Sequence, residues 1–296
     1  MTRISELFGI TTSAEAKADW KRVAASCTCP YLGRKCIKNR KSDPGVLIGT
    51  CTVAVGRNRN PVIICPHRLL ERRQIFVDCM HLLTLHEPGN EYHLLSEVTI
   101  PGGSVDYFLV SVGQDGKVKD FVGVEIQTLD TTGTVWPERQ RFLRSEGVRV
   151  SQVDVDCRDT FGMNWKMTAK TILMQLHHKV ETFESVGKHL VLALQTPLLA
   201  YMEGKFSFGH VSKARLGDAM HFHAYSLVQK DKEPFKLKLE TRHSTDASGV
   251  ATALGLKGNA KVELQQILDI LQTQVSASTL FTTDHFTDFT PATKPS

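Results

Sequence analysis

The chain has 296 residues, of which 41% are hydrophobic and 23% charged, with a formal net charge of +5. That length and composition allow a substantial core, laid out as one main domain with an appendage. No stretch approaches the ~18 uninterrupted apolar residues of a membrane span, and the opening MTRISELFGITTSAEAKADW has no continuous apolar run of the secretory kind. A cytoplasmic protein is expected.

Five of the seven cysteines fall before residue 66. In a cytoplasmic chain, clustered cysteines point to a metal rather than to disulfides. Cys29, Cys36, Cys51 and Cys65 are separated by 6, 14 and 13 residues, which is not the paired CxxC spacing of common zinc modules. Around them Gly33, Gly45, Gly49, Gly56, Pro44 and Pro61 make a turn-rich segment with little apolar content. Four thiolates on one tetrahedral ion would staple such a segment, and zinc and iron both suit four sulfurs. Cys27 is a competing ligand; Cys79 and Cys157 are expected to pack as small apolar side chains. The same third carries a basic block, Arg34, Lys35, Lys38, Arg40, Lys41, Arg57, Arg59, Arg68, Arg72 and Arg73, set against Asp43 and Glu71. Phosphates favour such a surface, although a merely solvated face has the same composition.

Residues 78 to 93 are expected to form a short helix ending before Pro88-Gly89, and Leu94 to Ile100 the first core strand. The stretch 104 to 130 then holds two β-rich runs around Asp115-Gly116, a dipeptide suited to a two-residue type I′ hairpin turn. Counting outward from Gln114 facing Lys117 sets Asp106 opposite Glu125, with Gln127 on the same side of its strand. Both faces of this hairpin are apolar, Phe108, Val110, Val112, Phe121 and Gly123 on one and Tyr107, Leu109, Val122, Val124 and Ile126 on the other, so it is expected to be central and covered above and below. Like charges opposed at ~5 Å destabilise a sheet, whereas a divalent cation is held by converging carboxylate oxygens. The pair therefore suggests a metal-dependent hydrolytic site, against the ordinary alternative of two solvated acids.

The segment from 128 to 147 is turn-rich and partly basic, and Trp136, Arg139, Arg141 and Arg144 are either DNA-facing or simply exposed. Trp165 to Phe183 is the clearest helix, with Met167, Ile172, Leu176, Val180 and Phe183 as one apolar stripe. Residues 188 to 195 form a short buried strand, His221 and His223 share a strand face, and 235 to 243 alternate as a half-exposed strand. Lys261 to Val275 has the period of an amphipathic helix, and the polar tail after Ser276 is weakly ordered. The order strand, hairpin, helix, strand gives an α/β fold with a mixed sheet and helices against it.

The succession TCPYL (28 to 32), CIK (36 to 38), GTCTV (49 to 53) and ICPHR (64 to 68), followed by GVEIQTLD (123 to 130), resembles the NotI and EagI type of type II restriction endonucleases, over about Cys29 to Tyr201. The resemblance implies a variant PD-(D/E)xK, restriction-endonuclease-like core with glutamine where most have lysine. Asp106, Glu125 and Gln127 match that triad, and Glu97 matches a further acidic residue. It also implies a single structural iron on Cys29, Cys36, Cys51 and Cys65. The domains would be a four-cysteine metal-binding and recognition region over 1–90, a nuclease core over 91–275 and a tail over 276–296. A homodimer would use Mg²⁺ on Asp106 and Glu125 to cut a GC-rich palindrome in double-stranded DNA, leaving 5′-phosphates and 5′ overhangs. Its host would carry a cognate methyltransferase. A DNA-binding module without catalysis and a rubredoxin-like electron carrier are the rival readings; the first is opposed by the intact triad, the second by the basic block.

Overall fold

The computed structural model describes residues 2–13, 18–40, 42–230 and 233–256. The described residues all fall within one compact unit. The helix expected over 261 to 275 and the tail after 276 lie outside the described residues.

The N-terminal region is built from short strands. In chain order these are β1 (Ile4–Leu7), β2 (Ile10–Thr11), helix α1 (Trp20–Ser26), β3 (Thr28–Cys29), β4 (Arg34–Lys35), β5 (Asn39–Arg40), β6 (Asp43–Leu47), β7 (Thr50–Val55) and β8 (Asn60–Ile63). Four of them make a sheet in the order β2-β1-β7-β8, while β3-β4 and β5-β6 are two-stranded ribbons. Gly49 sits at φ +67 with the Phe8 ring 2.3 Å from where a Cβ would be, so that turn has no room for a side chain.

After Cys65 come a 3-10 segment over Pro66–Arg73, interrupted at Glu71 and Arg72, then α2 (Gln74–Val77) and a single 3-10 turn at Met80–Leu82. The helix expected over 78 to 93 is thus replaced by separate short turns. Ile75, Phe76, Cys79, Leu82 and Leu83 are buried, but past them Leu85 is exposed and Pro88, Gly89 and Asn90 follow. No apolar stripe remains to hold a helix there.

The remaining elements are β9 (Glu91–Ile100), β10 (Gly103–Val112), β11 (Val118–Ile126), β12 (Thr131–Gly133), α3 (Trp136–Ser145), α4 (Gln152–Asp156), β13 (Phe161–Met163), α5 (Trp165–Ser185), β14 (His189–Gln195), α6 (Thr196–Lys205), β15 (Ser212–Lys213), β16 (Met220–Val228), β17 (Lys236–Thr245) and α7 (Ala247–Ala253). A seven-stranded mixed sheet runs β15-β17-β16-β14-β11-β10-β9, parallel at β11-β14-β16 and antiparallel elsewhere. The strand before the hairpin starts earlier than expected and is the outermost one, with Tyr92, Leu94 and Leu95 exposed.

The β10-β11 hairpin is covered on both sides, as its two apolar faces require. Phe108 and Val110 share a core with Ile172, Leu176, Val180 and Phe183 of α5. Leu109, Val122 and Val124 pack with Ile75, Phe76, Cys79 and Leu82 of the cysteine-rich region. Burying a side chain of this size contributes ~1.5–3 kcal/mol, so these two layers fix where the hairpin sits. On α5 the stripe differs from expectation at its start: Met167 is exposed and Thr168 and Ala169 turn inward. Residues 136 to 145 are a helix, not a loop, with Trp136, Phe142 and Leu143 buried.

Candidate active site

The register of the hairpin is Tyr107↔Val124, Phe108↔Gly123, Leu109↔Val122 and Val110↔Phe121. Carried one step further it sets Asp106 against Glu125, the expected pairing, although the turn that produces it is different. The loop has three residues, Gln114 to Gly116, with the Gly116 N–H on the Gly113 carbonyl at 2.9 Å and the Gly113 N–H on the Lys117 carbonyl at 2.9 Å. Gly116 takes φ +72, the left-handed position that closes such a loop. A bulge then restores the count, because Val112 pairs Val118 while Ser111 pairs Asp120, leaving Lys119 unopposed. Two one-residue shifts cancel, and Asp106 comes within electrostatic reach of Glu125.

Asp106 is half-buried and accepts the Ile126 N–H on Oδ2 at 2.9 Å, which ties its carboxylate to the end of β11. Glu125 accepts the Lys179 ammonium on Oε1 at 2.6 Å, with both side chains largely enclosed. Burial raises the Glu125 carboxyl above the usual carboxylate range; the Lys179 hydrogen bond opposes this and the Asp106 charge adds to it. Gln127 continues the ladder through its N–H to the Ala193 carbonyl at 3.0 Å, and its Nε2 donates to the Thr128 carbonyl at 2.8 Å.

Glu97 lies on β9 between Ser96, which pairs Tyr107, and Val98, which pairs Val105, so it stands across from Asp106 on the other side of β10. Its backbone is left-handed, φ +55, and its side chain is exposed. Left-handed backbone at a non-glycine residue costs ~1–3 kcal/mol, and here it interrupts the regular alternation of the strand. Tyr107 senses the surroundings: burial first, then Asp106 and Glu97, raise its hydroxyl, while Arg34 lowers it. Arg34, from the cysteine-rich region, is therefore within electrostatic reach of Tyr107.

Four cysteines expected to act together do share one place. Cys29, Cys36, Cys51 and Cys65 line a single enclosed cavity of about 10 Å³ with Phe8, Lys38 and His67. All four are buried and free of disulfides. Cys29 receives backbone N–H groups from Tyr31 and Leu32, and Cys65 receives them from His67 and Arg68. The two Cys-Pro turns are thus built alike, each aiming two amides at its sulfur. Burial raises the Cys29 thiol, whereas the Cys51 thiol hydrogen bond and nearby Lys38 lower Cys65 against the effect of burial. Cys27 instead caps α1, its thiol on the Ala24 carbonyl at 3.1 Å. Cys79 is fully buried as an apolar side chain. Among the described residues, no three His, Cys, Asp or Glu side chains are gathered tightly enough to form a metal-binding group as they stand.

The basic block divides sharply. Arg68 is fully buried, held by Glu6 at 2.8 Å, Glu71 at 2.8 Å and the Phe235 carbonyl at 2.9 Å. It cannot reach DNA, contrary to its place in the basic block expected to face phosphates. Arg40 pairs with Asp154 over the Trp136 ring, and Lys38 donates to the Ile64 carbonyl. Arg34, Lys35, Arg57, Arg72 and Arg73 are exposed. In α3, Trp136 and Arg139 are internal, with Arg139 against Trp136 and bonded to the Ile48 carbonyl. Arg141 is tied to Glu138 and to the carbonyls of Val155 and Cys157. The sequence had no sign of these internal duties, because a positive charge looks the same whether its partner is solvent or a buried carboxylate. His221 and His223 share a face of β16, fully buried, and burial lowers them to about 4 and about 3.

Lys179 is the site residue that the sequence did not disclose. It lies in α5, one residue before the buried Val180, at the border of the apolar stripe. Only the packing of α5 over the hairpin brings it to Glu125.

A seven-stranded mixed sheet whose β10-β11 hairpin, one strand in from the edge and not central as expected, carries Asp106 and Glu125 is consistent with a nuclease-like α/β protein. The model of the family described as restriction endonuclease NotI matches residues 17–237, and the chain belongs to that family. Membership makes it a DNA-binding hydrolase of the type II restriction class, one that generally works with a divalent metal such as Mg²⁺. No curated protein matches the sequence. Among the described residues, no helix is long and apolar enough to cross a membrane.

Proposed function

We propose that the chain is a site-specific endonuclease that hydrolyses a GC-rich palindrome in duplex DNA in the presence of Mg²⁺, leaving 5′-phosphates and 5′ overhangs. The observation that carries this reading is that the β10-β11 register stops at Tyr107↔Val124, one step short of Asp106 and Glu125, and that the Asp106 charge acts on the Glu125 carboxyl, in a chain of the NotI family. Asp106 and Glu125 would hold the cation, with Glu97 reaching it through water. When bound, the metal supplies Lewis acidity at the scissile phosphate and a more acidic water. The chain itself holds Asp106 in place through the Ile126 N–H. Gln127, with Nε2 already on the Thr128 carbonyl, offers its amide oxygen to a water proton, which orients without adding charge.

Cys29, Cys36, Cys51 and Cys65 would hold one structural iron or zinc. Their convergence on one cavity and the paired backbone amides at Cys29 and Cys65 support this, since N–H groups directed at sulfur favour thiolates. The metal-binding region within residues 1–90 would carry recognition, and the core within 91–275 the chemistry. Arg57, Arg72, Arg73 and Arg34 are the exposed cations suited to guanine edges or phosphates. A palindromic target calls for a two-fold homodimer cutting one strand per subunit.

The test uses the full chain on mixed-sequence DNA with Mg²⁺, followed by sequencing of the fragment ends, repeated with Asp106→Ala. Discrete ends with 5′ extensions that disappear in the variant support the proposal. Binding without cutting leaves a DNA-binding protein, and neither outcome leaves a metal-stapled protein of another kind.

A further inference from the structure

We propose that Lys179 is the catalytic lysine of this site, standing as counter-ion to Glu125 in the metal-free protein and contacting the scissile phosphate once a divalent cation takes that carboxylate. The proposal rests on the nuclease reading above and names a residue for it.

A site built on Asp106, Glu125 and Gln127 lacks a cation of its own, because glutamine is neutral and its Nε2 is turned onto the Thr128 carbonyl. Phosphodiester hydrolysis concentrates negative charge on the phosphate oxygens, and a positioned ammonium stabilises it where water is excluded. The Lys179 ammonium lies 2.6 Å from Glu125 Oε1, with side-chain exposures of 12% and 13% for lysine and glutamate. Its surroundings hold it there. The Lys179 Cε is 3.5 Å from the Cβ position of Gly103, so the stem crosses the start of β10, the strand that carries Asp106. Gly102, at φ +99, leaves 3.2 Å between its Cβ position and the His178 carbonyl, so the β9-β10 turn lies flush on α5 next to Lys179. Ile172, Leu176, Val180 and Phe183 anchor the helix on the sheet.

An ammonium on Glu125 competes with a metal for the same oxygen. A cation held by Glu125 would repel the Lys179 ammonium and leave it beside the acids, free to bind a phosphate oxygen. The lysine that sequence comparison would seek on β11 is supplied from α5.

Lys179→Met separates this from a structural ion pair. The substrate is a duplex bearing the site that the wild-type protein is found to cut, and Mg²⁺ affinity is measured by calorimetry without DNA. Removing one preorganised charge donor costs about 10²–10³ in turnover, so Lys179→Met is expected to lose at least about 100-fold in kcat. Its Mg²⁺ binding tightens, because the competing ammonium is gone. Gln127→Lys added to Lys179→Met is expected to regain at least tenfold of the loss. Thermal unfolding in EDTA checks that the variant folds; if Lys179→Met does not, Lys179→Gln carries the same expectations. A Lys179→Met protein that cuts within threefold of wild type, or that binds Mg²⁺ more weakly, overturns the role of Lys179. If Asp106→Ala is inactive in that case, the nuclease reading survives; a wild-type protein that does not cut removes both.

Discussion

Replacing Asp106 by asparagine tests the carboxylate pair through stability as well as activity. The amide keeps an oxygen for the Ile126 N–H and removes only the charge that faces Glu125. Two unit charges ~5 Å apart repel by ~3 kcal/mol at an effective dielectric constant of about 20. Both acids retain some solvent contact, so the net gain from relieving the repulsion is nearer the ~1 kcal/mol found for opposed like charges in sheets. That corresponds to a rise in Tm of roughly 2–4 °C for a domain of this size. The pH dependence has a definite sign. The Glu125 carboxyl is held above its ordinary value of 4.5, burial first and Asp106 adding to it. Its protonated form is favoured in the fold, so the stabilisation linked to that proton is full below 4.5 and is lost as pH rises through the raised value. Asp106→Asn should therefore be more stable than wild type at pH 7.5 in EDTA, and the difference should shrink at pH 4. Mg²⁺ should reverse the order: at 100 times its Kd it stabilises the wild type by ~2.7 kcal/mol, and the variant hardly at all. Thermal melts under these three conditions decide it. A variant less stable than wild type at pH 7.5 in EDTA would show that the two carboxylates do not confront each other.

On the proposed four-thiol metal site, the wild type should carry one iron or zinc per chain by elemental analysis, and Cys51→Ser should lose it and be destabilised by more than about 3 kcal/mol, since a structural metal contributes its binding energy to folding. Arg68→Met should cost ~3–5 kcal/mol by stranding Glu6 in the interior, seen as a lower denaturation midpoint. Arg72→Ala combined with Arg73→Ala should leave that midpoint unchanged and weaken DNA binding, with the salt slope reduced by ~0.9 for each phosphate no longer neutralised. Gly102→Ala should lower Tm, because its Cβ would meet Thr182 Oγ1 at 2.5 Å at a φ of +99; Gly116→Ala, at φ +72 with nothing within 4 Å, should cost only the left-handed backbone penalty of ~1–2 kcal/mol.

The elements that were legible in the sequence are those whose signal is local. The alternation in 235 to 243 gives β17, the apolar run from 188 gives β14, and the periodic stripe gives α5. The hairpin register was also legible, yet for an incomplete reason: the turn is one residue longer than Asp115-Gly116 suggests, and the bulge at Lys119 compensates. Pattern alone cannot see such cancellation, since a bulge leaves hardly any trace in composition. The expected helix over 78 to 93 failed because its apolar positions are satisfied by a few separate turns lying on the sheet.

By itself, the amino-acid order determined the chemistry available: two acids and a glutamine at fixed spacing on two strands, and four thiols in turns with little core of their own. Each follows from backbone period and side-chain type, which are properties of neighbours in sequence. The tertiary structure alone decided which charges are free to act. Packing placed Lys179 on Glu125, drew Arg68 and Arg139 inside and left Arg57, Arg72 and Arg73 outside. The physical reason is that a charge takes its role from its partner and its exposure, and both are set by residues distant along the chain.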